Sequence, residues 1–461
     1  MPLLALTLAP ESARLSNHPP ARIEMIKQLP PLHPQRRLVH DEIHARFYHA
    51  LTPPAQASWL ALLSPRESIA QERECVAALC RHFGDAQPLP EENFLSRDLG
   101  TIHLRWERHN EFSTWGFFTE GPFEIPFQQP PIERLPADWL ATLPGETIAA
   151  IHVALESGIT EERSKDELSR LFARRTLVGN GVAGGNAQVW TDFHLHEDGF
   201  TYFLVRDQEL TPRQAGRTVQ RILDMETYRL LALLAWPLAR EMMTELGQLE
   251  ERLNILSDEM AALSSQFNEP ERQQQLLSSL SALAAEVERI GNRTSTRFHA
   301  SRAYAALVDK RFEQMRPVRI PGLQTLCGYI NRRLDPAMRT CESVNERLES
   351  LATRISRTSD LLRTRVDVAL ESQNRDLLRS MNRRAHLQLR LQETVEGLSV
   401  VVISYYLVGL VGYLLKGLDE GIGLPLPVNI AIGISVPVVA GGVWLILKAM
   451  KARLARRATE E

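Results

Sequence analysis

The feature that most constrains this chain is a run from Asp335 to Lys416 with the composition of one long helix. Asp335-Pro336 is a start signal, because Asp can cap the first free N–H groups and Pro fits the first helical position. No proline occurs from Ala337 to Gly423, and no glycine from Ala337 to Glu396. We therefore expect one continuous helix, about 120 Å long at ~1.5 Å per residue.

The end of this run predicts a transmembrane hairpin. Leu398–Leu415 is uncharged and long enough to cross a bilayer. Leu424–Leu447 is uncharged as well, and the spacer Lys416–Gly423 is too short to form a domain. The alternative for one apolar segment is a buried core helix. Two such segments, separated by a short spacer and flanked by basic residues, favour a lipid bilayer instead.

The charges around the hairpin predict its orientation. The spacer offers one lysine against Asp419 and Glu420. By the positive-inside rule, both chain ends face the cytoplasm and the spacer faces outward. The N-terminal sequence has no basic region of the kind that begins a signal peptide. The flanking basic residues are Arg379, Arg383, Arg384 and Arg390 before the first span, and Lys448, Lys451, Arg453, Arg456 and Arg457 after the second.

Composition excludes some classes of function. A net charge of −3, with basic residues dispersed along the chain, gives no sign of nucleic-acid binding. The four cysteines have no C-x-x-C spacing and suit buried thiols in a reducing cytosol.

The first part of the chain reads as two segments. Residues 1–94 are predicted as an extended and helical N-terminal segment, with 55–83 mostly helical and broken at Pro65. Residues 95–208 read as an α+β cytoplasmic domain with a mostly antiparallel sheet. The predicted strands are Thr101–His109, Phe112–Thr119, Ile148–Leu155, Asn186–Phe193 and Phe200–Val205, and the predicted helix is Glu161–Arg174.

Long helices dominate the remainder. Residues 209–397 are predicted as a long-helix stalk bundle, 398–447 as the transmembrane hairpin and 448–461 as a basic cytoplasmic tail. The stalk helices are Thr211–Leu263 with a kink at Pro237, Pro270–Met315, and the Asp335 helix after a connector, Pro321–Leu334. Heptad-like spacing predicts a coiled coil, in a bundle or a homo-oligomer, through Val344, Leu348, Leu351, Ile355, Leu362 and Val366.

Two histidine pairs could bind a metal. His40 and His44 are four residues apart. A zinc hydrolase needs its glutamate beside one of the two histidines, as in H-E-x-x-H or H-x-x-E-H, whereas Glu42 stands midway between them. His194 and His196 share one face of a predicted strand, where cross-strand hydrogen bonding is the favoured interpretation. The spacing supplies no third ligand, so we assign no metal site.

Gly179–Gly185 matches the pattern G-x-G-x-x-G. That pattern binds a dinucleotide only where it opens a helix, whereas a predicted strand follows here. We expect a glycine-rich hairpin loop and no cofactor. No catalytic set emerges from the spacing of other residues, so we do not expect an enzyme.

Polar and small residues inside the first span are the remaining candidates. They predict either a pore lining or helix–helix packing. The candidate lining residues are Ser404, Tyr405, Gly409, Gly412 and Tyr413, and the candidate pore mouth is Lys416, Asp419 and Glu420.

The whole chain resembles a bacterial family of uncharacterised membrane-anchored proteins. This resemblance implies a two-pass protein of the bacterial inner membrane but no activity. It rests on Leu38–Arg46, Trp106–Phe112, Gly216–Arg221, Glu226–Arg229 and Ile403–Tyr406.

The order of segments also looks like that of the CorA-type magnesium channels, and Gln373-Asn374-Arg375 is similar to that group. The likeness implies a homopentamer whose first span lines a pore. The Gly-Met-Asn signature of those channels is replaced here by Tyr413-Leu414-Leu415-Lys416-Gly417. A ring of Lys416 side chains would repel Mg²⁺, so the ion is not implied. We expect either an ion channel or a membrane-tethered scaffold or sensor that binds a cytoplasmic partner.

Overall fold

The fold is taken from a computed structural model of the chain. The structure describes residues 33–36, 39, 48–85, 93–159, 161–262, 270–422 and 428–457. Two compact units are formed, one by residues 1–246 with 289–348 and the other by residues 247–288 with 349–461.

The first unit is built on a nine-stranded sheet with the order β2-β3-β4-β1-β5-β8-β7-β6-β9. Only β5 and β8 pair in parallel, so the predicted mostly antiparallel sheet is confirmed for the described residues. The strands are β1 Ala55–Leu63, β2 Phe94–Asp98, β3 His103–Arg108, β4 Phe112–Glu120, β5 Glu146–Glu156, β6 Val178–Val182, β7 Ala187–Thr191, β8 Thr201–Asp207 and β9 Val318–Arg319.

Long helices follow the sheet, as predicted. The described α-helices are α1 Ile69–His82, α2 Ala137–Leu140, α3 Lys165–Leu171, α4 Pro212–Leu233, α5 Ala235–Ala262, α6 Pro270–Met315, α7 Leu326–Ile422 and α8 Val428–Arg457. Thr211 caps α4 through a reciprocal capping box with Gln214. The predicted interruption near Pro237 is confirmed, since α4 ends at Leu233. That is the residue whose carbonyl would clash with the Pro237 ring in a continuous helix.

The helix predicted for residues 55–63 is wrong, because this segment is β1, hydrogen-bonded between β4 and β5. Trp59 lies in the apolar cluster that includes α4, whereas Leu60 and Leu62 lie in the cluster that includes α1. A strand buried on both faces shows no alternation of polar and apolar residues. Its alanines and leucines have high helix propensity, which favours the wrong element when the sequence is considered alone.

The start predicted for the long helix is also wrong, since α7 begins at Leu326 and Pro336 lies inside it. Thr325 Oγ1 accepts a hydrogen bond from the Gly328 N–H at 3.1 Å. Asn180 Oδ1 accepts one from the Leu326 N–H at 2.8 Å. The first turns are then buried in the sheet cluster through Leu326, Ile330 and Leu334, so packing extends the helix over most of the predicted connector.

The far end of α7 differs from prediction as well. The helix continues through most of the predicted spacer to Ile422, and residues 423–427 lie outside the described part of the chain. Continuous helix satisfies the backbone hydrogen bonds of these residues within the segment itself.

The heptad-like stripe predicted for association is buried within the chain. Val344, Leu348, Leu351, Ile355 and Leu362 are each at most 5% exposed, and Val366 is half-buried. The bundle alternative is therefore confirmed for these residues, and they are not accessible to a second copy.

The glycine-rich segment forms a hairpin, as predicted. Strands β6 and β7 pair antiparallel around a turn at Ala183–Gly185, and no helix follows it. Gly184 and Gly185 have φ of 76° and 103°, conformations that favour glycine.

A close backbone contact attaches the segment before β1 to α4. The Leu51 N–H donates to the Pro212 carbonyl at 3.0 Å. One turn later, a Cβ added at Gly216 would overlap the His49 carbonyl oxygen. Only glycine allows the two backbones to approach so closely.

We predict that Gly216→Ala displaces residues 48–51 and lowers the free energy of unfolding by about 1–3 kcal/mol, the usual cost of overpacking. Gly291→Ala is the matched control, because nothing lies within 4 Å of a Cβ added there in α6. It should raise stability by up to about 1 kcal/mol. Thermal unfolding of the purified protein in mild detergent measures both; equal melting temperatures would contradict the contact.

Candidate functional site

A polar cavity of about 190 Å³ lies in the first unit, where strands β1, β3 and β4 face α4 and α6. Its walls are mostly polar or aromatic, and its aromatic residues Trp59 and Phe112 also belong to the apolar cluster beside it. The lining residues are Tyr48, Trp59, Arg105, Glu107, His109, Phe112, Thr114, Gln220, Asp224, Thr227, Tyr228 and Arg311.

Secondary-structure periodicity explains why these residues meet. Arg105 and Glu107 are two apart on β3, so they share the face opposite Trp106. Gln220, Asp224 and Tyr228 are four apart on α4 and form one stripe of that helix.

The cavity contains two ion pairs. Arg105 Nη2 lies 3.1 Å from Glu107 Oε2, and both side chains are less than 10% exposed. On the helical side, Arg311 Nε donates to Asp224 Oδ2 at 2.9 Å, while Gln220 Nε2 donates to the other carboxylate oxygen at 2.8 Å. Positive and negative groups therefore both reach a small, partly dehydrated space.

Burial governs protonation at this site. It raises the pKa of Asp224, and the Arg311 guanidinium opposes that effect. It also raises the pKa of Tyr228, with the Asp224 carboxylate acting in the same direction. The Tyr228 hydroxyl thus remains protonated and able to donate a hydrogen bond at neutral pH.

Aromatic rings close the remaining walls. Tyr228 stacks on Tyr304 with ring centroids 5.9 Å apart, and the Tyr304 hydroxyl donates to Glu111 Oε1 at 2.7 Å. Trp59 Nε1 donates to Thr227 Oγ1 at 3.2 Å. The arrangement can hold a small molecule that carries both charges. Among the described residues, the hydroxyl groups of the lining belong to Tyr48, Thr114, Thr227 and Tyr228.

The sequence-predicted histidine pair lies elsewhere. His194 and His196 follow the end of β7, and both contact Asp192; the His196 ring also stacks on Tyr202 of β8. His196 Nε2 is 3.2 Å from Asp192 Oδ2, and His194 Nδ1 is 2.7 Å from the Asp192 carbonyl oxygen. The favoured interpretation, cross-strand hydrogen bonding, is therefore wrong, because the chain leaves the strand before the first histidine.

No group of three residues that could hold a metal ion is found among the residues that the structure describes. His40 and His44, the other predicted pair, lie outside the described residues.

The fold also brings together a serine, a histidine and an aspartate that are distant in sequence. Ser58 Oγ is 3.0 Å from His152 Nδ1, and His152 Nε2 is 3.6 Å from Asp198 Oδ2. Ser58 has no exposed surface and its Oγ accepts from the Ile132 N–H, so no substrate can reach it. The His152 ring stacks on Phe200 at 3.9 Å, and the set serves packing.

The candidate pore residues do not share one face. Ser404 is buried, and a Cβ added at Gly412 would lie 3.5 Å from Ile432 in α8, so these two face the second span. Tyr405 and Tyr413 are 77% and 78% exposed, and Gly409 is exposed with them. The predicted mouth residues are all helical: Lys416 is exposed, and the side chains of Asp419 and Glu420 lie outside the described set.

We predict a pH dependence of stability from His152. Burial lowers its pKa from 6.5 to about 4, so the folded chain binds fewer protons than the unfolded chain between those values. The contribution of the neutral His152 side chain to the free energy of unfolding is therefore complete above pH 6.5 and is lost as the pH falls towards 4. The loss amounts to about 3 kcal/mol at most.

His152→Gln should accordingly reduce the decline in melting temperature between about pH 7 and about pH 5. His82→Gln, at an exposed position of α1, is the control and should leave the decline unchanged. An undiminished decline in His152→Gln would show that other groups cause the acid sensitivity.

Two of the motifs behind the family resemblance, Trp106–Phe112 and Gly216–Arg221, contribute cavity residues, and Glu226–Arg229 adds two more. A family described as "Protein of unknown function (DUF3422)" matches residues 31–454, most of the chain. The comparison with curated proteins gives no match. The family description carries no information on a CorA-like architecture. The chain belongs to this family of proteins of unknown function, DUF3422.

Proposed function

We propose that this protein is a membrane-anchored sensor or scaffold whose sheet-containing unit binds a small zwitterionic ligand. The observation that carries the proposal is the cavity lined by Arg105, Glu107, Asp224 and Arg311. Sites for small ligands are concave and place a few polar groups among apolar walls. The described lining has that character.

The apolar helices support the anchor. α7 and α8 contain windows of mean hydropathy 2.1 and 2.3, and 6% of each window is buried. An exposed surface of that composition requires lipid or protein around it. We place the hairpin in the bacterial inner membrane, with both chain ends in the cytoplasm.

Cysteine labelling tests this topology. In a background without the four native cysteines, Asp419→Cys should react from outside intact cells with an impermeant maleimide. Thr459→Cys should react only after the cells are opened, because the basic flanks hold it inside. Labelling of Thr459→Cys alone from outside would invert the proposed orientation.

The charges of the cavity suggest the ligand class. A carboxylate can accept from Arg105 and Arg311, while an ammonium group can donate to Glu107 and Asp224. The aromatic walls also favour a cation. A volume of about 190 Å³ suits a molecule the size of a free amino acid.

We predict that the full-length protein binds one or more free L-amino acids, measured by equilibrium dialysis against a labelled mixture. Arg311→Gln should weaken binding about tenfold or more, because it removes a charged donor from a buried site. Arg302→Gln is the matched control, since Arg302 lies on the same helix with 57% of its side chain exposed. It should bind as the wild type does.

Tyr48→Ala gives a second variant that leaves no buried charge unpaired, because Tyr48 is 39% exposed beside the cavity. It should weaken binding without lowering the melting temperature. Failure of every L-amino acid to bind the folded wild-type protein would reject this ligand class.

Ion passage remains the second candidate, favoured by one observation. Tyr405, Gly409 and Tyr413 are polar or small and exposed. Such residues can line a pore of the CorA-like kind when several copies assemble. Flux of K⁺, Mg²⁺ or Cl⁻ into liposomes that contain the purified protein would promote this candidate over the anchor.

A further inference from the structure

Among the described residues, a long series of exposed apolar side chains lies on α7 before the first predicted span. Every side chain from Leu370 to Val395 is exposed, including Leu377 at 61% and Leu391 at 67%. Arg375, Arg379 and Arg383 exclude this segment from the bilayer interior. Leucines at this density on a water-exposed helix require an apolar partner.

Of the eight large apolar side chains exposed from Leu370 to Val395, five follow a heptad: Leu370, Leu377, Met381, Leu391 and Val395. Leu378, Leu387 and Leu389 lie off it. Spacings alternate between four and three residues, and this α7 stripe continues without a break into the first span. All its members are exposed: Leu370, Asn374, Leu377, Met381, Arg384, Gln388, Leu391, Val395, Leu398, Val402, Tyr405 and Gly409. Such a repeat is the signature of helices that wrap around one another.

The charged residues of the segment support the same register. Arg375, Asp376, Arg379, Arg383 and Arg390 all lie off the stripe, on the opposite side of the helix. Asn374 and Gln388 occupy stripe positions, where buried polar residues fix the register and the number of strands in coiled coils. Arg384 is the one charge on the stripe.

The continuity of the stripe identifies its occupant. A covering helix must follow α7 from water into the membrane, so it must itself be anchored in the bilayer and run parallel to α7. A second copy of this chain meets both conditions, because copies inserted with one topology present the same residues at the same depth. A soluble partner could cover only the part before Leu398.

We propose that copies of this protein associate in parallel through the α7 stripe, Leu370–Gly409. The interface is separate from the Val344–Leu362 residues, which are buried within each chain. The proposal rests on the membrane anchoring proposed above, and it is independent of ligand binding in the cavity.

Disulfide trapping of the full-length protein in nanodiscs tests it, in a background without native cysteines. Leu377→Cys and Leu391→Cys should form covalent dimers on mild oxidation. Arg379→Cys, on the far side of the same helix turn, is the control. A parallel interface brings equivalent stripe positions within disulfide range, so we expect about tenfold more dimer for Leu377→Cys than for Arg379→Cys. These exposed positions lie outside the packed bundle, so the variants should keep the wild-type melting temperature.

Leu377→Asn combined with Leu391→Asn should shift the purified protein from oligomer to monomer by light scattering with detergent subtracted. A monomeric wild-type protein, or equal dimer yields at Leu377 and Arg379, would overturn the proposal. Trapping onto a different membrane protein in native membranes, with none between copies, would overturn it as well. Resistance of the cysteine variants to alkaline extraction would show that they are anchored in the membrane. A failure to form dimers would then count against self-association and leave the proposed anchor intact.

Discussion

The first unit depends on covering both faces of one sheet. On one face, α4, α6 and the first turns of α7 supply the apolar cover, with Ile222, Phe312 and Ile330 among the buried residues. On the other, α1 covers β1, β3 and β4. A sheet covered on both faces has no solvent-facing side for an inner strand, so β1 is buried along almost its whole length, and even its polar residues Gln56 and Ser58 are buried. The cavity lies where this cover is made by polar side chains.

Buried charge alone does not distinguish the cavity. The Glu72–Arg108 pair is at least as buried as the Arg105–Glu107 pair of the cavity. Ser64 and Trp106 also donate hydrogen bonds to the Glu72 carboxylate. Glu226 and Arg229 form a bidentate pair on one helix. None of these four charged side chains lines the cavity. Buried ion pairs are weak evidence for function by themselves. The cavity is a candidate site because open space lies beside the charges of Arg105 and Asp224.

Two parts of α7 carry the same kind of sequence pattern with different burial. Heptad-like residues up to Leu362 are buried inside the chain, whereas those from Leu370 onward are exposed although their spacing is equally regular. Periodicity indicates that one face of a helix is apolar, but it does not indicate which surface covers that face. For the α7 stripe, the proposed membrane anchor would limit the choice of partner, because a membrane fixes the direction and depth of any helix that runs beside α7.

The sequence by itself determined the elements whose signals are local. The bounds of α6, the capping box at Thr211, the break before Pro237 and the two apolar helices all follow from neighbouring residues. The same holds for five strands, one predicted from its alternating pattern and four from their β-branched and aromatic residues between turns. Tertiary structure decided the rest: β1 is a strand because helices cover it twice, and α7 starts at Leu326 because Asn180 caps it from another strand. The cavity could not be predicted either, since Arg105, Asp224 and Arg311 are far apart in sequence and only the packing of α4 and α6 on the sheet brings them together.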